Sequence, residues 1–255
     1  MTDLIRVTTG QQIARIEINR PEKKNALLAT MYQAMADALL AADADPAVRA
    51  ILIHGRADCF SAGNDLDDFL SKPPHGEDAP VTRFLQAIST TAKPIIAAVG
   101  GPAVGIGTTM LLHCDLVYAT PAAKFRLPFT SLGLVPEAAS SLLLPAIAGY
   151  QRAAELLLLG QPFTAEKAAA AGIVTEIVPE TELLDHATRA ATAIAALPTS
   201  SVRMTKALMK SAQSAQVAER MAEESRLFRQ QLGSPEAKEA FTAFFEKRAP
   251  DFSKF

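Results

Sequence analysis

The chain has 255 residues, enough for one large domain or a domain with an appendage that buries roughly 70–75% of its unfolded surface. Hydrophobic residues make up 49% and charged residues 20%, and 25 basic against 27 acidic side chains leave a net charge of −2. These values exclude a disordered or fibrous protein and give no electrostatic footprint for nucleic acid.

The first half of the chain alternates predicted strands and helices. Strands are predicted at 13–18, 50–55, 94–99 and 115–120, and helices over 27–42 and around Phe84, Leu85 and Ile88, after a turn-rich segment at 71–80. The strands after the first are apolar without alternation. Such strands, separated by helices, are typical of a parallel sheet with both faces covered. The fold class is therefore α/β.

Beyond Leu197-Pro198 the pattern predicts helices only, at 201–212, 217–232 and 235–247. We therefore divide the chain into a core of residues 1–197 and a helical region of residues 198–255. The helical region carries many large apolar side chains, which should pack against the core or against a second subunit. They are Met204, Leu208, Phe228, Phe241, Phe244 and Phe245.

The two cysteines, Cys59 and Cys114, have no CxxC partners, which argues against a disulfide framework and a thiolate metal site. The longest uncharged stretch, 94–114, holds four glycines and two prolines and predicts buried strand and turn rather than a membrane helix. The first residues show no leader pattern, and the final Ser253-Lys254-Phe255 only approximates a peroxisomal address. We expect a cytoplasmic protein without membrane or nucleic-acid partners.

Several common catalytic motifs are absent. The segment 105–110 lacks the third glycine of GxGxxG, no GxxxxGK[ST] occurs, and neither Ser61 nor Ser131 lies in GxSxG. The four histidines form no HExxH motif. Hydride transfer, serine hydrolysis and metal chemistry lose support, and we expect no cofactor and no metal.

Two glycine-containing loops remain as candidates, 59–66 after the strand at 50–55 and 100–107 after the strand at 94–99. Glycines allow backbone N–H groups to approach a ligand, and the second loop opens an apolar helix. Two such loops at one edge of a parallel sheet could form an oxyanion hole. The alternative is that the glycines only permit tight turns.

The candidate acid is Glu137, the one charged residue between Arg126 and Arg152. One interpretation is ordinary helix-start chemistry, with Pro136 at the first helical position and Glu137 at the second. The other is a general base set against a hydrophobic substrate pocket.

Segments spread along the whole chain resemble the enoyl-CoA hydratase/isomerase (crotonase) family. They are 19–27 (NRPEKKNAL), 60–66 (FSAGNDL), 93–107 (KPIIAAVGGPAVGIG), 114–120 (CDLVYAT), 163–174 (FTAEKAAAAGIV) and 244–248 (FFEKR). Their order and spacing make the resemblance specific. It implies a spiral of strand–strand–helix turns with a C-terminal helical trimerisation region, acyl-CoA thioester substrates, and a homotrimer or dimer of trimers.

The resemblance also identifies departures from the hydratases. Their two catalytic glutamates align with Thr109 and Phe129, so ordinary hydration is not expected. Residues 128–141, together with 63–66, instead resemble the peroxisomal-type Δ3,Δ2-enoyl-CoA isomerases, in which the acid matching Glu137 is the sole acid/base. The expected reaction converts 3-enoyl-CoA to trans-2-enoyl-CoA.

Further site residues are implied by the same alignment. The backbone N–H groups of Asn64 and Ile106 would form the oxyanion hole, and coenzyme A is part of the substrate. The residues implied for its binding are Lys23, Lys24, Ala62, Asp65 and Lys247, of which Lys247 on the C-terminal helix could reach a neighbouring subunit's site. Those implied for the acyl pocket are Leu66, Phe129 and Leu134, with the loop 71–80. Each lysine could equally be a solvated surface residue.

Two alternatives to the isomerase stay open. The chain could catalyse another reaction of the family, such as atypical hydration, thioester hydrolysis or ring isomerisation. It could also be a non-catalytic acyl-CoA-binding subunit, although Glu137 argues against this. Acyl chain length, pathway and the choice between trimer and hexamer are not set by the sequence.

Overall fold

The computed structural model describes residues 4–56, 58–71, 76 and 78–255. The strands are β1 (Ile5–Gly10), β2 (Ile13–Ile18), β3 (Ala50–His54), β4 (Ile95–Val99), β5 (Pro102–Val104), β6 (Leu116–Ala119), β7 (Lys124–Arg126), β8 (Phe163–Thr164) and β9 (Glu176–Ile177). The helices are α1 (Ala29–Ala44), α2 (Leu66–Ser71), α3 (Pro80–Thr90), α4 (Ile106–Thr109), α5 (Ser140–Ala148), α6 (Tyr150–Leu159), α7 (Ala165–Ala170), α8 (Leu183–Ala195), α9 (Thr199–Ser211), α10 (Ser214–Leu232) and α11 (Pro235–Phe245). Short 3₁₀ turns lie at Pro21–Lys23, Met110–His113, Thr130–Leu132, Glu180–Glu182 and Phe252–Lys254.

The larger sheet has six strands in the order β1-β2-β3-β4-β6-β9, and a smaller sheet has the order β5-β7-β8. In the larger sheet β1 is antiparallel to β2, and every other neighbouring pair is parallel. The prediction of a parallel α/β core is confirmed.

The apolar runs of β3 and β4 are buried on both faces. Ile51 and Ile53 belong to the core that contains α1 and α3, whereas Leu52 and Ile96 pack on the other face with Ala187 of α8. A strand covered on both sides needs an apolar side chain at every position. This double coverage explains why these strands do not alternate.

Helix α1 begins two residues later than the periodicity predicts. The backbone of Leu27 instead pairs with the first glycine loop, donating its N–H to the carbonyl oxygen of Gly63 at 2.8 Å and accepting the N–H of Asp65 at 3.0 Å. The start of the helix is thereby tied to a segment that carries candidate site residues.

Helices α9, α10 and α11 follow Leu197, and the described chain has no strand after this point, as predicted. Phe228 and Phe241 are buried within the same chain, at 8% and 5% exposure, while Phe244 and Phe245 keep 57% and 49%. Some apolar residues of the helical region therefore pack within their own chain, and others remain exposed and could contact a partner. No helix of the described residues combines the length and apolarity needed to cross a bilayer.

Candidate active site

Hydrogen bonds join the two glycine loops. The N–H of Ser61 donates to the carbonyl oxygen of Pro102, and the N–H of Val104 donates to that of Ser61, each at 2.9 Å. A Cβ on Gly63, whose φ is +90°, would lie 2.7 Å from the carbonyl oxygen of Val104, and one on Gly107 would lie 2.8 Å from that of Ser61. Glycine at these two positions permits the close contact between loops, beyond a role in tight turns.

The contact brings together the two segments that carry the predicted oxyanion donors. The N–H groups of Asn64 and Ile106 donate to no other described residue. Ile106 is the first residue of α4, where an N–H has no partner within the helix. Two N–H groups without a partner on joined loops meet one requirement of the predicted oxyanion hole, which is the availability of donors.

Glu137 lies before α5 and not in its first turn, so the helix-start interpretation is wrong. The next two residues, Ala138 and Ala139, have left-handed φ values of 61° and 54°, and the helix begins at Ser140. The N–H and the hydroxyl of Ser140 donate to the carbonyl oxygen of Glu137 at 3.0 and 2.6 Å. This turn separates the glutamate from the helix and leaves its carboxylate against the cavity.

The Glu137 carboxylate is buried and incompletely satisfied. Its Oε1 has no hydrogen-bond partner among the described residues. Burial raises the pKa of Glu137 to about 8, and the negative charge of Glu224 contributes to the rise. An acid with a pKa near neutrality can both accept and return a proton at cellular pH.

Tyr32 is a site neighbour that sequence reasoning missed. Its hydroxyl donates to the Oδ1 atom of Asn64. Burial, with a contribution from the charge of Glu137, raises the pKa of Tyr32 well above its ordinary value. Periodicity predicted the helix that contains Tyr32 to within two residues, but it gave Tyr32 no role beyond that of a helix residue.

A cavity of about 560 Å³ brings most of the predicted site residues together. Its lining contains Lys23, Ala62, Asn64, Asp65, Leu66, Phe129, Leu134 and Glu137. Lining residues that the sequence did not indicate as cavity residues include Phe69, Arg126, Phe228, Phe241, Phe244, Phe245 and Arg248. The rings of Phe69 and Phe228 meet edge to face with centroids 5.9 Å apart, so α10 closes one side of the cavity.

Three predicted residues are not among the lining. Ile106 is fully buried, and only its preceding neighbours Val104 and Gly105 reach the cavity. Lys24 and Lys247 are exposed, and the contribution of Lys24 to the first loop is its carbonyl oxygen, which accepts the N–H of Ala62 at 2.9 Å. Of the predicted loop 71–80, residues 72–75 and 77 lie outside the described residues.

Asp65 lines the cavity, but its carboxylate is already paired. Arg20 donates to it at 2.7 Å, and the N–H of Asp68 donates to its other oxygen at 3.1 Å. Burial alone would raise the pKa of Asp65, but these hydrogen bonds and the charge of Arg20 hold it below the ordinary value. The pair anchors the start of α2 beside the cavity.

The positions aligned with the hydratase acids hold no proton-transfer group of comparable acidity. Thr109 is fully buried, and Phe129 lines the cavity. The described cavity lining contains three carboxylates, of which Asp65 is ion-paired and Asp67 is exposed. Glu137 is therefore the buried carboxylate available to a substrate.

Known proteins resemble this chain along nearly its whole length. The family model described as "Enoyl-CoA hydratase/isomerase" matches residues 8–254. Human enoyl-CoA delta isomerase 2 is 34% identical over 95% of this chain, which spans 63% of that protein's length. A probable enoyl-CoA hydratase of Mycobacterium leprae is 35% identical over 98% of both chains. The crystal structure of an enoyl-CoA hydratase/isomerase from Pseudoalteromonas atlantica superposes with a TM-score of 0.95 at 45% identity, covering 98% of this chain and 100% of that one.

Proposed function

The chain belongs to the enoyl-CoA hydratase/isomerase family, and we propose that within it the chain is an isomerase that converts 3-enoyl-CoA to trans-2-enoyl-CoA. The observation that carries the proposal is Glu137, whose carboxylate is buried, has an unpartnered oxygen and a pKa of about 8. Isomerisation by a 1,3-proton shift needs one group that removes a proton and returns it.

In the first step the ionised Glu137 removes a proton from C2 of the substrate. The electron pair of the C2–H bond moves into the conjugated system, and the thioester oxygen takes up negative charge as a dienolate. The N–H groups of Asn64 and Ile106 donate to this oxygen. Donors that are fixed before the reaction stabilise the charge without reorganisation.

In the second step the protonated Glu137 delivers the proton to C4. The double bond then lies between C2 and C3, conjugated with the thioester carbonyl, and the carboxylate is restored. No other atom enters or leaves. The apolar lining of the cavity, which includes Phe129 and Phe228, limits the water that would compete for the dienolate.

Thr109 and Phe129 disfavour hydration. It needs one group to activate water and another to handle the α-proton, and Thr109 and Phe129 stand at the two positions where hydratases carry acids. The relatives do not choose between the reactions, since they include both delta isomerases and probable hydratases. The chemistry of the side chains favours the isomerase.

The coenzyme A portion of the substrate would lie toward Lys23 and Ala62 at the cavity wall. Arg248, which also lines the cavity, adds positive charge there, although Glu239 pairs with it at 2.5 Å. We further propose a homotrimer or dimer of trimers, since exposed Phe244 and Phe245 offer an apolar surface. Exposed Lys24 and Lys247 could then act only near the cavity mouth or at a neighbouring subunit.

The test is the substitution Glu137→Gln, with Glu223→Gln as a matched control that removes an exposed carboxylate. Ultraviolet absorbance of the conjugated thioester reports the product formed from 3-enoyl-CoA. We expect Glu137→Gln to lose at least ~10²–10⁴ in rate, the usual contribution of a general acid–base. Binding of a saturated acyl-CoA, measured by calorimetry, should remain.

Other outcomes would contradict the proposal in distinct ways. A Glu137→Gln rate within tenfold of the wild type would remove the glutamate from the mechanism. Loss of absorbance from crotonyl-CoA, faster than any gain from 3-enoyl-CoA, would identify a hydratase. Retained acyl-CoA binding without any absorbance change would identify a binding subunit.

A further inference from the structure

Glu224 connects the C-terminal helical region to the loop that carries Glu137. It lies on α10, and its carboxylate is buried at 4% exposure. The carboxylate accepts the N–H of Ala139, 85 residues away along the chain, at 2.6 Å, and the N–H and hydroxyl of Ser141 at 3.0 and 2.5 Å. All three partners are donors, an arrangement that favours the ionised carboxylate.

A second contact holds the same turn from another element. The Nε2 atom of His113 lies 2.8 Å from the carbonyl oxygen of Ala138. Ala138 and Ala139 have the left-handed backbone conformation that residues other than glycine rarely adopt. A strained conformation persists only where its surroundings hold it. His113 and Glu224 hold successive residues of this turn, directly after Glu137.

We propose that Glu224 is a positioning residue for Glu137: it fixes the left-handed turn that keeps the Glu137 carboxylate against the cavity and places a second negative charge beside it. This inference rests on the proposed function, in which Glu137 carries the proton. It also gives the C-terminal region a role in catalysis within its own chain.

The charged and titratable groups around Glu137 lead to a measurable consequence. Burial is the largest cause of its raised pKa, and Glu224 adds to it. His113 is neutral near pH 7 because burial lowers its pKa to about 4, and Tyr32 is neutral because burial raises its pKa. Burial raises the pKa of Glu224 above its ordinary value, and the hydrogen bonds from Ser141 and Ala139, with a smaller contribution from the charge of Arg220, partly offset the rise. Removing the charge of Glu224 should lower the pKa of Glu137, while burial keeps it above the ordinary value.

Three variants separate charge from reach. Glu224→Gln keeps the length of the side chain and loses its charge, whereas Glu224→Asp keeps the charge and shortens the side chain. Glu223→Gln removes an exposed charge from the preceding position of α10. We expect the acidic limb of kcat/KM to move down by roughly one pH unit in Glu224→Gln, as for loss of a neighbouring like charge. In Glu224→Asp the limb should stay near that of the wild type, while kcat falls about tenfold because the turn is displaced. Glu223→Gln should match the wild type.

A titration that needs no substrate accompanies the kinetics. In protein labelled with ¹³C at glutamate carboxyls, the Glu137 signal is the one that Glu137→Gln removes. Its midpoint should be near 8 in the wild type and in Glu223→Gln, and lower in Glu224→Gln. If the wild type does not isomerise 3-enoyl-CoA but the midpoint moves as stated, the proposed function fails and the link between Glu224 and Glu137 stands.

An unchanged pH limb and an unchanged midpoint in Glu224→Gln would overturn the inference. So would a wild-type kcat in Glu224→Asp. If Glu224→Gln does not fold, as judged by circular dichroism, the kcat of Glu224→Asp decides alone.

Discussion

Lowering the pH from 8 to 6 should reduce kcat/KM for the isomerisation of 3-enoyl-CoA about 50-fold. Only the ionised form of Glu137 can accept the C2 proton, and burial together with the charge of Glu224 raises its pKa to about 8. With that pKa, about half of the molecules are ionised at pH 8 and about 1% at pH 6. The ordinary value of 4.5 would leave nearly all of them ionised at both pH values.

Three other buried groups, His113, Cys114 and Tyr32, titrate outside this window. The pKa of His113 is about 4, that of Cys114 is about 12, and that of Tyr32 is raised well above 10.0. The limb expected between pH 6 and 9 is therefore assigned to Glu137 and not to any of these three groups. Because kcat/KM reports the free enzyme, this limb should have the pKa of unliganded Glu137.

The assay follows the absorbance of the 2-enoyl thioester at substrate concentrations well below KM, in buffers of constant ionic strength. The exposed-charge control Glu223→Gln should give the same profile as the wild type. Any residual rate of Glu137→Gln should lack the limb. A kcat/KM that is constant between pH 6 and 8 would refute the reasoning, since it would mean a hydrated and ionised carboxylate.

Three further results are expected. Glu137→Gln should raise the free energy of unfolding at pH 9 by several kcal/mol. The pKa of Glu137 rises from 4.5 to about 8 on folding, and each pH unit of this rise corresponds to about 1.4 kcal/mol. The folded state binds the Glu137 proton more tightly than the unfolded state, so the wild type loses stability as the pH rises from 4.5 to about 8. Urea unfolding curves of wild type and variant that differ equally at pH 4 and pH 9 would contradict this. Gly63→Ala should lower the thermal midpoint and the activity together, because the added Cβ would lie 2.7 Å from the Val104 carbonyl oxygen; a variant with wild-type melting and turnover would show that the loops can separate. Turnover in heavy water should leave part of the C4 position of the product without deuterium, since Glu137 is shielded from solvent, and complete exchange by mass spectrometry would show an open site.

The sequence by itself determined most strands of the larger sheet and singled out Glu137 as the candidate acid. Apolar residues at every position of 50–53 and 95–99 predicted parallel strands covered on both faces, a property of the local side-chain pattern. The two glycine loops were placed correctly at strand ends. Glu137 was singled out because it is alone among apolar residues, which local composition reveals.

Local patterns could not decide how Glu137 is held. The pair Pro136-Glu137 is compatible with a helix start, and only the packed chain shows the left-handed turn that separates the glutamate from α5. The carboxylate that holds this turn comes from Glu224, 85 residues beyond Ala139, on a helix whose sequence is rich in charge. No periodicity distinguishes a buried glutamate there from its exposed neighbour Glu223.

Only the tertiary structure shows which residues form the walls of the cavity, because local sequence patterns do not distinguish them. Phe228, Phe241 and Phe244 have the same local signature and all line the cavity, yet the first two are buried and Phe244 is exposed. Lys23 lines the cavity and Lys24 does not, although the two are adjacent in sequence. Hydrophobic periodicity records which face of an element is buried, whereas the partner of that face is set by the path of the whole chain. The sequence therefore determined the elements and singled out Glu137, and the tertiary structure determined the groups that hold and surround this side chain.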